Sequence, residues 1–506
     1  MAMGWLRRDR ERVTSVFTTF ICIGISIVVA LWLFHPSRSF AAEGDVRGAV
    51  RAVGLANSDV GESVFDGRLD FEAEAGRFIL GGTYRAYELS DADYNPRQAY
   101  SDAFGIKHRY LEFGAGDLGL RAGDYFVTFG KGLVLRSYEE IELEHDAALD
   151  GMLGEYSAGD LDITAVAGGM DDRRSETLRW QHNVYGVHAK TSLLSSVNIG
   201  ASGLKRYQRK REEGIALPGS TSDFEDVVLG ADAEAWVGPV TLNAEYAHRT
   251  GDYYFESEQS GAPGYGTYVG GSYGNAWLSV LAEYKNYYRF ENAVIRPPTC
   301  IKEHLWTLMN RVTHLVNLND ERGFILEGVL TLSDDVTLNG GASEARYRNG
   351  DLLHWEMFGQ ADYMRSDLLS AAMAVSWSRE YDLGKFTEHK SWAIESGISI
   401  GEQALEITLE GQNTEEPSGY DFMDFLTSIA YYPRYDITVV GMLEHTTYDL
   451  PGRDTWFFLD IRMAVGDGYE VSLGGGSERG GKKCAGGICF DEPEFAGLKA
   501  RLLTYF

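Results

Sequence analysis

Positive charge is scarce in this chain of 506 residues, which carries 46 lysines and arginines against 75 aspartates and glutamates and has a net charge of −29. An acidic excess of this size argues against nucleic acid as a partner. Long apolar runs are missing beyond residue 34: no later stretch reaches about 18 consecutive apolar residues, so no membrane-spanning helix is predicted there. The hydrophobic fraction of 44% is ordinary and argues against a disordered chain.

Cysteine is rare as well, with four residues in the whole chain. Cys22 lies in the N-terminal apolar run, which leaves Cys300, Cys484 and Cys489. The last two flank a pair of glycines that lets the chain turn back, so a disulfide between them is predicted, with two free thiols as the alternative. A metal site would need two further ligands, and none is close in sequence. Since a C-x-x-C-H motif for covalent haem is also missing, the sequence predicts no metal and no other cofactor.

The N-terminal segment has the parts of a secretory signal peptide. Four arginines between Arg7 and Arg12 precede the apolar run SVFTTFICIGISIVVALWLF at 15–34, and the small-x-small site Ser39-Phe40-Ala41 follows it. This order predicts a signal peptide over residues 1–41 and an exported chain of residues 42–506. An uncleaved anchor is the alternative, because the run approaches membrane-spanning length.

Beyond the signal, the sequence is a succession of segments in which apolar and polar residues alternate. In WFFLDIRMAV (456–465), for example, Phe457, Leu459 and Ile461 fall on one face, whereas Asp460 and Arg462 fall on the other. A period of two residues predicts β-strands with one apolar face. The apolar sets run for about nine to eleven residues, which is the length of a tilted bilayer-crossing strand.

Tight turns separate these segments, and Gly, Pro and Asp occupy them because of their backbone preferences. The predicted turns are EAGR (74–77), AGDL (115–118), SAGD (157–160), LSSV (194–197), VGPV (237–240), YGNA (273–276), LSDDV (332–336), RSDL (365–368), IGEQA (400–404), YPRYD (432–436) and GDGY (466–469). Eleven hairpins, a first strand near 46–54 and a last strand at 495–506 give 24 strands. The predicted fold is therefore all-β: one transmembrane antiparallel up-and-down barrel of about 24 strands, within a range of 22 to 26.

The chain ends on FAGLKARLLTYF (495–506), in which Leu498, Leu502 and Phe506 share the apolar face. This ending resembles the recognition signal of bacterial outer-membrane barrels, although Thr504 departs from the aromatic or bulky apolar residue that the pattern prefers. The resemblance implies insertion into the outer membrane by the barrel assembly machinery and a surrounding of outer-membrane lipid. The Cys-bearing loop at 480–497 and GDYFVTFGKGLVL (123–135) are similar to segments of large, uncharacterised outer-membrane barrels, a family that implies location and fold but no activity.

Charged residues on the polar faces of the strands would line the inside of such a barrel. An acidic excess among them predicts a mild preference for cations. The predicted lumen-lining residues are Asp232, Glu234, Glu245, Glu283, Glu356, Asp362, Glu406, Glu410, Asp460, Arg249, Arg462, Lys499 and Arg501.

Two longer connections, 128–146 and 291–321, are candidates to fold into the lumen. The first contains a run of acids, and clustered carboxylates attract hard cations, so it could form a cation-selective constriction or a divalent site; an exposed acidic loop is the alternative. The candidate constriction residues are Glu139, Glu140, Glu142, Glu144, His145 and Asp146. In the second, apolar residues at helical spacing between Ile301 and Leu315 predict a short amphipathic helix, with His304 and His314 as surface residues.

These features predict an outer-membrane channel for passive or semi-selective diffusion of small solutes. A barrel that serves as a sleeve or anchor for a partner protein, such as a periplasmic multi-haem cytochrome or a secreted component, is the alternative. The G-x-S-x-G pattern at 397–401 lies inside an alternating strand and not at a strand-to-helix turn, so no enzyme is predicted.

Overall fold

The structure is a computed structural model. It describes residues 44–57, 62–89, 104–141, 143, 145–172, 179–211, 224–251, 263–290, 294–311, 314, 316–365, 368–382, 385–449, 452–466, 468–485 and 488–506. The predicted signal peptide (1–41) lies outside these residues, as do two of the predicted constriction residues, Glu142 and Glu144.

Within the described residues, 24 strands form one antiparallel sheet whose first and last strands pair with each other, so the sheet is a closed barrel. The predicted all-β barrel of 24 strands is confirmed. The wall strands are β1 (Gly44–Asn57), β2 (Glu62–Ala75), β3 (Phe78–Leu89), β4 (Phe104–Ala115), β5 (Leu118–Tyr125), β10 (Leu149–Ala158), β11 (Leu161–Asp172), β12 (Arg179–Leu194), β13 (Val197–Arg211), β14 (Phe224–Val237), β15 (Val240–Gly251), β16 (Gly264–Gly274), β17 (Leu278–Tyr288), β18 (Asp320–Ser333), β19 (Val336–Arg346), β20 (Leu352–Arg365), β21 (Leu369–Asp382), β22 (Lys385–Ile400), β23 (Gln403–Glu415), β24 (Asp421–Arg434), β25 (Ile437–Thr446), β26 (Thr455–Val465), β27 (Tyr469–Glu478) and β30 (Phe495–Tyr505). Three short hairpins lie in the connections: β6 (Thr128–Phe129) with β7 (Leu135–Arg136), β8 (Glu139–Glu140) with β9 (His145–Asp146), and β28 (Gly481–Ala485) with β29 (Ile488–Glu492).

All eleven predicted turns join consecutive wall strands, and they lie at one end of the barrel together with the start of β1 and the end of β30. We call this end the turn side and the opposite end the loop side. Gly76, Gly116, Gly159 and Gly238 occupy four of the turns with φ between 59° and 64°, a conformation that glycine adopts without steric cost.

The two faces of the wall differ in the way the alternation predicts. On β26 the side chains of Phe457, Leu459 and Ile461 are exposed, whereas those of Trp456 and Phe458 are buried. Because directly paired residues of antiparallel strands lie on the same face, the register carries this division around the whole barrel. The outer face is an apolar surface suited to lipid, and the inner face carries the polar residues.

The barrel closes through nine residue pairs between β1 and β30, from Ala49–Tyr505 to Asn57–Gly497. Beyond them, the Gly48 N–H donates to the Phe506 carbonyl at 2.9 Å and the Phe506 N–H donates to the Gly48 carbonyl at 3.0 Å. Closure matters because an unpaired backbone group in hydrocarbon costs several kcal/mol. The pairing between the last strand and the first therefore continues up to Phe506.

Among the described residues, no helix is long and apolar enough to cross a lipid bilayer. The predicted amphipathic helix between Ile301 and Leu315 is wrong in extent, since of the described residues 301–311 and 314 only α1 (Thr307–Asn310) is helical. Leu305, which the pattern places on the apolar face, is 86% exposed. The chain follows the barrel wall instead, because wall side chains supply the hydrogen bonds that a longer helix would have made internally.

Candidate functional site

The two long connections on the loop side lie inside the barrel. We call residues 126–148 the first lobe, residues 289–319 the second lobe, and the two together the plug. The first lobe contacts inward-facing side chains from Arg68 on β2 to Glu245 on β15, and the second contacts strands from β17 to β25. A segment can reach the polar face of so many neighbouring strands only from the interior of a closed barrel.

An apolar core joins the plug to the wall. Phe129, Leu133 and Leu135 of the first lobe are fully buried and belong to one cluster with the inward-facing wall residues Val184 and Leu204. The remaining buried members are Tyr125, Val134, Ala147, Leu149, Leu153, Val166, Met170, Val228, Ala247, Tyr268, Tyr287, Phe290, Val294, Ile295, Cys300 and Ile325. Residues of both lobes are therefore packed against the inner wall of the barrel. Both connections that the sequence marks as candidates to fold inward contribute residues to this cluster.

The two lobes also contact each other. The Arg136 N–H of the first lobe donates to the Val294 carbonyl of the second at 2.9 Å, and the Arg136 guanidinium donates to the Arg296 carbonyl at 3.3 Å. The plug is therefore a single packed body and not two independent loops.

A wall carboxylate holds the tip of the first lobe. The Glu245 carboxylate of β15 accepts the Lys131 N–H, next to the turn at Gly130. Gly130 has a φ of 55°, and a Cβ on it would lie 2.8 Å from the Glu245 Oε2. Only glycine fits both the backbone conformation and this approach, which accounts for the G-K-G sequence at the tip.

An ionic contact holds the rest of the first lobe. In the β8–β9 hairpin Glu139 pairs with Asp146 and Glu140 with His145. The Arg68 guanidinium donates to both carboxylate oxygens of Glu139 at 2.6 and 2.9 Å. Burial by itself would raise the pKa of Glu139, but the hydrogen bond from Arg68 and the charge of Lys107 outweigh burial and hold that pKa below its ordinary value.

A bulge in β4 brings two further wall residues to this hairpin. Thr83 pairs with His108 and Tyr84 with Ile106, so Lys107 is an extra residue beside His108. The Lys107 Nζ lies 2.7 Å from Glu139 Oε1 and 3.2 Å from Asp146 Oδ2, and the His108 Nε2 lies 3.0 Å from Asp146 Oδ2. Three possible metal ligands, one each from His108, Glu139 and Asp146, lie within 4.8 Å of one another. The Lys107 ammonium lies between the two carboxylates and Arg68 also pairs with Glu139, so cationic side chains already compensate much of the negative charge there.

Three wall carboxylates hold the second lobe. The Glu356 Oε1 lies 2.7 Å from the His304 Nε2, and Glu410 accepts the Leu308 N–H at 2.7 Å at the start of α1. The Arg311 guanidinium donates to both oxygens of Glu444 at 2.6 and 2.9 Å. These carboxylates lie near the loop-side ends of β20, β23 and β25, and their partners are main-chain and side-chain donors of the lobe.

A buried ionic group on β17 and β18 holds the second lobe at two points, Thr299 and His314. The Lys285 ammonium forms an ion pair with Glu321 and donates to the Thr299 carbonyl, and the His314 Nε2 lies 2.9 Å from the Glu321 Oε2. His304 and His314 are 8% and 5% exposed, so the prediction of two surface histidines is wrong. Both rings point at wall carboxylates that sequence spacing could not reveal.

The register places all thirteen predicted lumen-lining residues on the inner face. They divide into two groups by burial. Glu245, Arg249, Glu356 and Glu410 are buried. The residues that stay partly or fully exposed are Asp232, Glu234, Glu283, Asp362, Glu406, Asp460, Arg462, Lys499 and Arg501. Of the predicted constriction residues, Glu139 and Asp146 lie together at the wall with side chains only 12% and 21% exposed, at odds with an exposed acidic loop.

Sequence reasoning missed the wall residues that hold the plug: Arg68, Lys107, His108, Lys285, Glu321 and Glu444. One signal for them was available. Val184, Leu204 and Val228 are apolar residues on the face that otherwise carries polar ones, and all three are buried by the first lobe. Apolar residues on a face that would meet water mark the places where an insertion packs against a barrel wall.

The backbone supports the approach of the two C-terminal cysteines, because Cys484 and Cys489 are directly paired across the β28–β29 hairpin. Their side chains lie outside the described residues, so the disulfide stays a prediction. Cys300 is a free thiol buried in the second lobe, and burial raises its pKa to about 12.

The fold and the plug define a class of protein: a closed barrel with the fold of outer-membrane β-barrels and with two lobes of its own chain packed against the inner wall. A family of unknown function (DUF6029) matches residues 64–345, more than half of the chain, and the chain belongs to that family. No curated protein matches the sequence.

Solved structures show the same type of barrel at low sequence identity. A chain of the E. coli P pilus tip assembly intermediate PapC-PapD-PapK-PapG is 12% identical, with a TM-score of 0.52 over 91% of this chain and 60% of that chain. The siderophore receptor PirA from Pseudomonas aeruginosa is 9% identical, with a TM-score of 0.48 over 91% and 80% of the two chains. The P pilus usher PapC is 8% identical, with a TM-score of 0.47 over 91% and 99%. At these identities the likeness concerns the fold.

Proposed function

We propose that the protein is an outer-membrane channel for small solutes in which the plug restricts passage and the turn-side half of the lumen favours cations. The observation that carries the proposal is the charge of the predicted lumen-lining residues that stay partly or fully exposed. Of these nine residues, six are acids and three are bases. Carboxylates that face a confined aqueous space raise the local concentration of cations.

The division between the faces supports a channel. The outer face is apolar, as a lipid-facing surface requires, whereas the inner face carries acids that water in the turn-side lumen would hydrate. The plug occupies part of the loop-side lumen, which leaves less room for a threaded partner protein than an empty sleeve would. A partner that stays bound in the lumen through purification would favour the sleeve instead.

The test is a planar-bilayer recording of the purified protein in a potassium chloride gradient. We expect a reversal potential of the sign that potassium selectivity gives. A variant with Asp232→Asn, Glu234→Gln, Glu406→Gln and Asp460→Asn should lose most of that preference while it keeps its conductance. A control variant with Asp334→Asn and Asp335→Asn, in the turn between β18 and β19, changes charge at the rim and should keep the preference. Chloride selectivity in the unmodified protein would refute the proposed cation preference.

A further inference from the structure

Three arginines lie on the outer face at the loop-side end of the wall, around the directly paired residues Tyr288 and Asp320. Arg289 follows the last residue of β17, Arg322 lies two residues beyond Asp320 on the same face of β18, and Arg348 belongs to the connection between β19 and β20. The Arg348 N–H donates to the Asp320 carboxylate at 3.2 Å. We call Arg289, Arg322 and Arg348 the outer arginine cluster.

Two arginines of this cluster share one aromatic ring. The Cζ of Arg348 lies 4.7 Å and the Cζ of Arg289 lies 5.1 Å from the centroid of the Tyr288 ring. The Arg348 Nη1 also donates to the hydroxyl of Tyr265, the residue that pairs with Tyr288. A guanidinium that stacks on a ring keeps N–H groups at its edge free to donate to an anion. The donor edges of both arginines are therefore held beside one ring.

At Arg289 the main chain leaves the wall for the lumen while the side chain stays outside. Its φ is 47°, a conformation that is uncommon for residues other than glycine, and the next residue, Phe290, is fully buried in the core between plug and wall. Glycine would adopt this conformation at lower cost. The backbone cost at an outward-facing arginine indicates a use for its side chain.

The cluster has no carboxylate partner among the described residues, since none of its three guanidinium groups forms an ion pair with an acid there. The Arg346 guanidinium donates to both oxygens of Glu344, and Asp351 accepts from the Asn349 amide at 2.8 Å. With Arg346 included, four arginines meet the three acids Asp320, Glu344 and Asp351 on this surface. A positive surplus on a chain with a net charge of −29 suits an anionic ligand.

The aromatic residues next to the cluster place it at the membrane surface. Tyr284 and Phe324 are directly paired on the outer face and are each 42% exposed. Arg322 lies two residues from Phe324 toward the loop side, a distance of about 7 Å along the strand. Exposed aromatic residues of such barrels lie at the membrane interface, and their loop side faces the cell exterior. The cluster therefore lies at the headgroup level of the outer leaflet, where a cation avoids hydrocarbon.

We propose that the outer arginine cluster is a binding site for a phosphorylated lipid headgroup of the outer leaflet. Arg289 and Arg348 donate to phosphate oxygens beside the Tyr288 ring, and Arg322 adds a third cation from the adjacent strand. Guanidinium groups suit this ligand because pairs of their N–H groups match the spacing of phosphate oxygens. The acyl chains of the same lipid lie along the exposed aromatic and apolar residues of the wall. The protein thereby holds a lipid at one defined place on its outer face.

The test is native mass spectrometry of the full-length protein, released from detergent micelles, with lipid A that carries two phosphates as the probe. Lipid A should remain bound to the unmodified protein. A variant with Arg289→Gln, Arg322→Gln and Arg348→Gln should bind it at least about tenfold more weakly, because three cations near the headgroup are lost. Lipid A without phosphates should bind the unmodified protein no better than the phosphorylated lipid binds this variant.

The matched control removes three other bases from the loop-side outer face: Lys205→Gln, Arg379→Gln and Lys390→Gln. These bases already have carboxylate partners, since Lys205 pairs with Glu225 at 2.7 Å, and Arg379 and Lys390 pair with Glu388 at 2.6 and 2.8 Å. The control loses the same charge as the cluster variant and should keep its affinity for lipid A. Heat-modifiable migration on a gel without boiling checks that both variants are folded.

Three results would overturn the site: equal losses of affinity in the cluster variant and the control, equal affinities for lipid A with and without phosphates, or inorganic phosphate that binds as tightly as the lipid and displaces it. The last result would assign the cluster to a soluble anion. If the triple cluster variant does not fold, Arg348→Gln serves in its place, because Arg348 is exposed in a connection outside the wall; full affinity in Arg348→Gln would also contradict the proposal. Lipid binding is measured without current, so its failure would leave the proposed channel standing.

Discussion

Carboxylates on the inner wall hold the plug one hydrogen bond or ion pair at a time. Glu245, Glu356, Glu410 and Glu444 each accept donors from the plug, and all four are buried. A buried carboxylate without donors would be destabilising. The wall carboxylates therefore need the donors of the plug, just as the plug is held by these acceptors. Loss of a donor would leave such a carboxylate buried and unpaired, so each of these contacts helps to hold the plug against the wall.

Glu444 offers the sharpest test of these contacts, because it binds both nitrogens of Arg311 and also accepts from Arg479. Glu444→Gln leaves Arg311 largely buried without its carboxylate, and we expect the second lobe to lose about 3 kcal/mol of attachment. Limited proteolysis should then cut within 289–319 much faster than in the unmodified protein, while the barrel stays intact.

The matched control for that variant is Glu344→Gln. Glu344 also binds both nitrogens of an arginine, Arg346, at 2.6 and 2.8 Å, but the pair lies on the outer face at the loop-side end of β19 and is partly exposed. Exposed pairs contribute about 1 kcal/mol or less. Equal proteolysis of the two variants would show that Glu444 does not hold the lobe.

The lobes are additions to a barrel that closes without them. The last residue of β5, Tyr125, pairs directly with the first residue of β10, Leu149, and Tyr288 of β17 pairs with Asp320 of β18. Each lobe therefore begins and ends at adjacent points of the wall, where a two-residue turn would suffice. The chain uses 23 residues for one connection and 31 for the other, and both connections pack against the inner wall.

We expect that replacement of residues 126–148 by an Asn-Gly turn gives a folded barrel with a larger single-channel conductance, since the fully buried first-lobe residues Phe129 and Leu133 no longer occupy the lumen. Planar-bilayer recording measures the change directly. Replacement of residues 347–351, a loop-side connection that joins β19 to β20, by the same turn is the control and should leave the conductance unchanged. A first-lobe deletion that folds but conducts no more than the control would mean that the lobe does not restrict passage.

The whole molecule depends on closure, because the sheet is stable in lipid only when its two edge strands find each other. Gly48 lies at this seam. A Cβ on it would lie 2.5 Å from the backbone oxygen of Asp70 and would also overlap the ring of Phe506. The backbone oxygen cannot move without breaking the β1–β2 ladder, so the seam tolerates no side chain at this position.

Gly48→Val is therefore expected to leave most of the protein unclosed. The measurement is the fraction that migrates as a compact, heat-modifiable species on a gel without boiling, which should fall steeply. Gly359→Val on β20 is the matched control: Gly359 faces the same lipid side, and a Cβ added to it would meet no other atom within 4 Å. If the compact fraction of Gly359→Val falls as far as that of Gly48→Val, the loss is caused by valine itself and not by its position at the seam.

The sequence by itself determined the barrel. Strand period and turn chemistry are local properties, readable from a few neighbouring residues, so the eleven turns, the count of 24 strands and the inward face of residues such as Glu406 and Asp460 were all predictable. Local features of the sequence also identified the two long connections as candidates to fold inward.

Only the tertiary structure decided what fills the lumen and which residues hold it there. Arg68 and Glu139 are 71 positions apart, and Arg311 and Glu444 are 133 apart, so no spacing rule connects them. The predicted helix fails for the same reason, because Glu410 satisfies the main chain of α1 from a distant strand. Contacts between a lobe and a wall depend on how a closed sheet brings remote strands around one interior, and that geometry exists only once the barrel has formed.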